Sequence, residues 1–162
     1  MFHSAAARWS AVLLLGVFLV SSAFVLPTPP ADPPEKSFFV ANKEGRISSK
    51  NKAILLKFYQ AIYGKRAQPE AIEIVPYKGN HYVAWQGTGA KVPTMTVQLK
   101  MTERGFFLTA ASKRNTCTGD PCTRCKFTKS KGCQCGGTGF CNHEGTGIVA
   151  DLMEPAQVLG LE

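Results

Sequence analysis

The chain of 162 residues lacks the short motifs that most often mark an enzyme. It has no Gly-x-Ser-x-Gly turn to present a serine nucleophile, and no Gly-x4-Gly-Lys-Ser/Thr loop to hold a phosphate group. These absences exclude two kinds of active site that a sequence can reveal directly. We therefore predict that the protein is not an enzyme.

Cysteine is absent from the first 116 residues. All six cysteines of the chain fall between Cys117 and Cys141, and His143 follows two residues later. So many thiols rarely collect in one short stretch for packing reasons alone. We therefore predict a cross-linked or metal-bound module over residues 117–143.

A hydrophobic run long enough for a typical membrane-spanning helix is also lacking. The stretch from Ala11 to Leu26 has 16 residues, whereas a helix needs about 20 to cross a bilayer. It follows the basic Arg8 and contains small residues up to Ala23, an order that is typical of a cleaved signal peptide. We predict that residues 1–23 are removed and that the protein is secreted or periplasmic. The alternative is an N-terminal membrane anchor.

Residues 24–36 are predicted to form a spacer, because five prolines occur between Pro27 and Pro34. Proline fixes φ and has no N–H to donate, so this segment is expected to be stiff and to lie outside any sheet. The remaining residues, 37–162, have the length of a single domain. The chain is 44% hydrophobic and 19% charged, which favours a packed core over disorder.

One helix is predicted over residues 50–63. Ser48 or Ser49 can cap its first turn, and Gly64 supplies the residue at which helices commonly end. Apolar side chains recur at the spacing of one buried helix face. These residues are Leu55, Phe58, Tyr59 and Ile62.

The chain after Pro69 changes to the alternation of β-strands, most clearly over residues 94–102. Met95, Val97, Leu99 and Met101 are expected to point into the core, and the polar residues between them to meet water. Further strands are predicted over residues 72–75, 81–86 and 106–111. The predicted fold class is α+β: one helix packed on a small antiparallel β-meander, followed by a cysteine-rich, glycine-rich loop module.

The leading interpretation of the cysteines is a set of three disulfides. An even number of thiols in an exported chain favours cross-linking, and a glycine-rich loop needs it because the loop can bury little apolar surface. Cys133 and Cys135 alternate along the chain, so we expect them to bond to different partners. The predicted disulfide-forming residues are Cys117, Cys122, Cys125, Cys133, Cys135 and Cys141.

Zinc is the alternative, because the spacing Cys122-x2-Cys125 suits one half of a tetrahedral site. Its ligands would come from Cys122, Cys125, Cys133, Cys135, Cys141 and His143. His143 would be a ligand in that case, and a surface residue if disulfides form instead. The disulfide interpretation requires no cofactor. In a third interpretation Cys122 and Cys125 are the redox pair of a thiol oxidoreductase.

Acidic residues are scarce where basic residues are densest. Asp120 is the one acid between Lys113 and Lys131. The candidate anion-binding residues are Lys113, Arg114, Arg124, Lys126, Lys129 and Lys131. Such a surface would attract an anionic glycan, a lipid head group or another polyanion. These patterns predict an exported, non-enzymatic structural or binding protein with a disulfide-stapled basic C-terminal module, and they indicate neither a small-molecule substrate nor an oligomeric state.

Overall fold

The computed structural model describes residues 36–89 and 92–161. The predicted signal peptide, and the predicted spacer up to residue 35, lie outside the described residues. Among the described residues, no helix has the length and apolar character needed to cross a membrane. The elements are β1 (Ser37–Ala41), α1 (Ser49–Tyr63), β2 (Ala71–Tyr77), β3 (Asn80–Gln86), β4 (Thr94–Thr102), β5 (Gly105–Thr109), β6 (Lys113–Asp120), β7 (Cys125–Thr128), β8 (Gly132–Cys135), β9 (Phe140–Ile148), a 3₁₀ turn (Val149–Asp151) and α2 (Met153–Val158).

Strand β4 is the centre of a seven-stranded antiparallel sheet. One of its edges pairs with β3, which in turn pairs with β2. The other edge is shared: the first half of β4 pairs with β6, and the second half pairs with β5. Strand β1 extends the sheet beyond β5, and β9 extends it beyond β6. The prediction of an α+β fold with an antiparallel sheet is confirmed.

Helix α1 covers one face of this sheet, which we call the inner face. The side-chain oxygen of Ser48 accepts a hydrogen bond from the Asn51 N–H at 3.1 Å, and Gly64 ends the helix with φ of 97°. Both predicted boundaries are thus correct to within one residue. The buried indole of Trp85 donates from Nε1 to the carbonyl oxygen of Leu55 at 2.9 Å, which ties the inner face to the helix backbone.

Met101 departs from the predicted alternation. Met95, Val97 and Leu99 are buried on the inner face as predicted, but 57% of Met101 is exposed. Met101 lies next to the tight turn that joins β4 to β5, where Thr102 pairs with Gly105. The side chains therefore alternate between the two faces to the end of β4, but the buried core of the inner face extends only as far as Leu99.

The opposite face of β4, which we call the outer face, was predicted to be exposed to solvent, and it differs more strongly from its prediction. Thr94 and Thr96 are 1% and 0% exposed, whereas Lys100 is exposed. The antiparallel hairpin of β7 and β8 lies over the first part of β4 and over β3, and it excludes water there. The prediction failed because polar alternation reports the side-chain period and not which element covers each face.

The part of the outer face formed by β1, β5 and the end of β4 has no such cover within the described residues. Phe39 is 41% exposed and packs edge-on against Phe107, with ring centroids 5.2 Å apart. Lys100 and Arg104 border a groove of about 640 Å³ beside this pair. Strand β1 and helix α2 were not predicted from the sequence. Both are short. Val40 of β1, Ala156 of α2 and Leu159 directly after α2 join the inner core.

Replacing Leu99 with alanine should lower the free energy of unfolding by about 2–5 kcal/mol, because it leaves a cavity in the inner core. Gln98→Ala is the matched control on the same strand. It removes one exposed hydrogen bond to the Asn80 side chain and should cost well under about 1 kcal/mol. Urea unfolding of both variants measures the difference. Equal losses would contradict the assignment of the two faces.

Candidate functional site

The six cysteines form three pairs at disulfide distance. Cys117 pairs with Cys133, Cys122 with Cys135, and Cys125 with Cys141. The Cα atoms of the three pairs are 5.5, 5.9 and 5.8 Å apart, within the normal range for disulfides. Each bond joins one cysteine that precedes the β7–β8 turn to one that follows it. Cys133 and Cys135 bond to different partners, as their alternation predicted.

Glycines allow the cross-linked segments to approach closely. A Cβ on Gly119 would lie 2.0 Å from the carbonyl oxygen of Cys122 and 2.9 Å from the sulfur of Cys125. A Cβ on Gly139 would lie 2.8 Å from the backbone nitrogen of Cys122, and its φ of 108° also disfavours other residues. These contacts explain why glycine occupies positions 119 and 139.

The hairpin is held on the outer face by a buried side-chain amide. The Gln86 Nε2 donates to the carbonyl oxygen of Phe127 at 2.7 Å, and its Oε1 accepts from the Phe127 N–H at 2.9 Å. The Thr94 hydroxyl donates to the carbonyl oxygen of Cys125. Phe127 is 1% exposed and packs edge-on against Tyr82. The cysteine module is therefore one layer of the folded domain, with its own small core.

His143 is half-buried at the edge of this small core. Its ring centroid is 4.8 Å from that of Phe127 and 5.8 Å from that of Tyr82, and its Nε2 is 2.9 Å from the Thr96 hydroxyl. Burial, and secondarily the charge of Lys78, lower the pKa of His143 below its ordinary value. His143 was expected to be a surface residue in a disulfide-bonded module, and the structure shows that aromatic rings cover part of it. The available signal was its alternation with Cys141 along β9, which places both on the covered face.

The residues proposed as zinc ligands are only partly brought together. The sulfur atoms of Cys122, Cys135 and Cys141 lie within 4.8 Å of one another, and each belongs to a disulfide. His143 is directed to Thr96 instead. The sulfurs of Cys122 and Cys125, the pair expected of a thiol oxidoreductase, belong to two different disulfides.

The candidate anion-binding residues are divided among several environments. Glu70 forms an ion pair with Arg124 and another with Lys126, the latter at 2.7 Å. The hydrogen bond from Lys126 and, after it, the contacts with Arg124 lower the pKa of the Glu70 carboxyl. Arg114 donates to the carbonyl oxygen of Thr146 at 2.7 Å. Lys113 is exposed at the start of β6, beside Lys100.

Lys129 and Lys131 remain, both exposed on the turn between β7 and β8. This turn lies against the turn between β2 and β3, because a Cβ on Gly132 would lie 2.7 Å from the Tyr77 ring. The ammonium group of Lys78 lies 5.3 Å from the centroid of the same ring. Lys78 is thus a third exposed lysine at this end of the sheet, which the sequence analysis missed because it lies far from the cysteines in the chain.

Comparison of the chain with protein-family models, with curated proteins and with solved structures found no match in any of the three. The residues themselves are therefore the basis for a functional proposal. They provide a cross-linked layer, a half-buried histidine next to aromatic rings, and a group of exposed lysines.

Mass spectrometry tests the cross-links. We expect reduction to add two hydrogens for each of the three bonds, and peptide mapping to recover Cys117 with Cys133, Cys122 with Cys135 and Cys125 with Cys141. Free thiols in the native protein, or different pairs, would contradict this arrangement.

The stability of the protein should depend on the protonation of His143. Because the folded state lowers the pKa of this group, the unfolded chain binds the proton more readily, and stability should fall as the pH drops below about 6.5. The fall should end once the pH is below the pKa of the folded state. Urea midpoints between about pH 7.5 and pH 5 measure this slope. His143→Gln should flatten it, and a variant with the wild-type slope would show that another group is responsible.

Proposed function

We propose that the protein is an exported, non-enzymatic binding protein whose disulfide-stapled module presents lysines to an anionic polymer. The observation that carries the proposal is the close approach of Gly132 to the Tyr77 ring, because the turn with Lys129 and Lys131 precedes Gly132 and the turn with Lys78 follows Tyr77. We call these three lysines the lysine tip. They come from separate hairpins, and the module holds them at one end of the sheet.

The charge of the lysine tip supports an anionic ligand. All three side chains are exposed, and within residues 36–89 and 92–161 none has a carboxylate within salt-bridge distance. Arg124 and Lys126, by contrast, are already compensated by Glu70. A full chain with a net charge of +8 would also be drawn towards a polyanion over longer distances.

The rigidity of the module supports binding rather than simple solvation. Three cross-links and the bonds between Gln86 and Phe127 fix the β7–β8 hairpin against the sheet. A ligand would therefore meet lysines whose backbone is already ordered, so binding would cost less conformational entropy.

Export is part of the same proposal. Disulfides persist in oxidising compartments and are rare in the cytosol, so three of them in one module agree with the signal peptide predicted over residues 1–23. Sulfated or carboxylated glycans and anionic lipid head groups both offer repeated negative charges in such compartments. Binding to heparin and to phosphatidylglycerol vesicles would distinguish these two sources.

The test removes the lysine tip. The variant Lys78→Gln/Lys129→Gln/Lys131→Gln should bind the preferred probe roughly a hundredfold more weakly, because each lysine near an anionic surface contributes about 1 kcal/mol. Binding of the wild-type protein should also weaken as salt is raised, since salt screens exposed charges.

The matched control is Lys50→Gln/Lys52→Gln/Lys57→Gln, which removes the same charge from exposed positions of α1 on the inner side of the sheet. It should retain most of the affinity. Equal weakening of both variants would mean that net charge alone attracts the probe. The absence of salt-sensitive binding to either probe would refute the proposal.

A further inference from the structure

Two of the three disulfides lie side by side. The sulfur atoms of Cys122, Cys135 and Cys141 are all within 4.8 Å of one another, although Cys141 is bonded to Cys125 rather than to either of the others. The Cys125 sulfur is bonded to that of Cys141, so the four cysteines are neighbours, although Cys125 is not among the three that all lie within 4.8 Å of one another. They come from four separate positions: β7, β8, β9 and the connection between β6 and β7. The remaining bond, between Cys117 and Cys133, is not part of this group.

Three sulfurs this close together, with the Cys125 sulfur bonded to one of them, could supply the four thiolates that suit a soft metal ion once both disulfides are reduced. Zinc binds sulfur at about 2.3 Å in a tetrahedron, so neighbouring sulfurs lie about 3.8 Å apart. The Cys141 sulfur lies within 4.8 Å of both sulfurs of the Cys122–Cys135 bond, so a small side-chain shift would bring it to this spacing. Within each former disulfide the sulfurs would have to separate, and rotation about the side-chain χ1 bonds allows this while the backbone stays in place.

We propose that Cys122, Cys125, Cys135 and Cys141 form a redox-gated site for a soft metal ion such as zinc. A dithiol reductant supplies two electrons and two protons to each disulfide and is itself oxidised to a disulfide. The two S–S bonds break, and four thiols form. A divalent ion then replaces the four thiol protons, and the resulting complex carries two negative charges. This inference does not depend on binding of a polyanion by the lysine tip.

The surroundings of the four cysteines favour a site that survives reduction. The inner core contains no cysteine, so the helix and the sheet do not depend on the cross-links. Gln86 still pairs with Phe127 in the middle of β7, and Cys125 stays opposite Cys135 in the β7–β8 ladder. The positions of the ligands are therefore set by hydrogen bonds as well as by disulfides.

Access and charge also fit the proposal. Cys135 and Cys141 are half-exposed, so a reductant and an ion can reach the group from solvent. Arg124 lies in the chain between Cys122 and Cys125, and its side-chain Cδ would be 3.8 Å from a Cβ on Gly136, next to Cys135. The Arg124 guanidinium is paired with Glu70 while the disulfides are intact, and a move of this group to a four-thiolate centre would offset part of the negative charge of that centre.

Cobalt reports the site directly. The protein is first reduced with a phosphine, because a dithiol would compete for the ion. The phosphine is then removed under anaerobic conditions, and the reduced protein is titrated with Co²⁺. We expect one Co²⁺ per chain, with the visible absorption of a tetrahedral ion, a thiolate-to-metal charge-transfer band, and displacement by Zn²⁺. The oxidised protein should show neither band. A reduced protein without these bands would overturn the proposal.

Two variants distinguish a folded four-cysteine site from nonspecific metal binding by any of the six thiols. Cys122→Ser/Cys135→Ser should weaken metal binding by more than about a hundredfold, because it removes two of the four ligands. Loss of a residue that only hydrogen-bonds to a metal ligand already weakens binding by about 10- to 100-fold. Cys117→Ser/Cys133→Ser is the matched control and should keep the bands and most of the affinity. After reduction no disulfide is present in either variant, so the comparison is between thiols alone. Equal loss in both variants, or undiminished binding by the wild-type protein in guanidinium, would show that no folded site exists.

Discussion

The buried amide of Gln86 is the interaction on which the arrangement of the module depends. Gln86 is 5% exposed, and its side chain pairs with both the N–H and the carbonyl group of Phe127. A buried amide without hydrogen-bond partners would lower the stability of the fold by about 1–3 kcal/mol. The hydrogen bonds between Gln86 of the sheet and Phe127 of the hairpin avoid this loss for both elements. This pairing fixes which residue of β7 lies over β3. The small core of Phe127, Tyr82 and His143 follows from that placement.

The periodic elements were predictable because their signals are local. Ser48 and Gly64 bound α1, and the alternation of Met95, Val97 and Leu99 marks β4, since each pattern needs only neighbouring residues. The cover of Thr94 and Thr96 was not predictable in this way. It depends on a hairpin more than 20 residues further along the chain, and a threonine looks the same in sequence whether water or another layer lies over it.

The candidate site shows the same division between local and distant information. Alternation predicted that Cys133 and Cys135 would have different partners. It could not identify those partners, because six cysteines can form three disulfides in 15 ways. The charges were harder still. Glu70 lies 54 residues before Arg124, and Lys78 lies 39 residues before Cys117. The sequence alone therefore showed neither which basic residues are paired with Glu70 nor that Lys78 lies at the same end of the sheet as the β7–β8 turn.

The pairing of the cysteines also determines when the module can close. Cys117, Cys122 and Cys125 all bond to residues beyond the β7–β8 turn, so none of the three bonds can form until the chain has emerged at least as far as Cys133. A chain that emerges from its N-terminus presents α1 and β1 to β5 earlier. The strands β3 and β4 thus precede β7 and β8, which cover their outer face, in the order of the chain. Oxidation therefore secures a layer that emerges after the strands it covers, and the last cysteine to emerge, Cys141, completes the cross-linking.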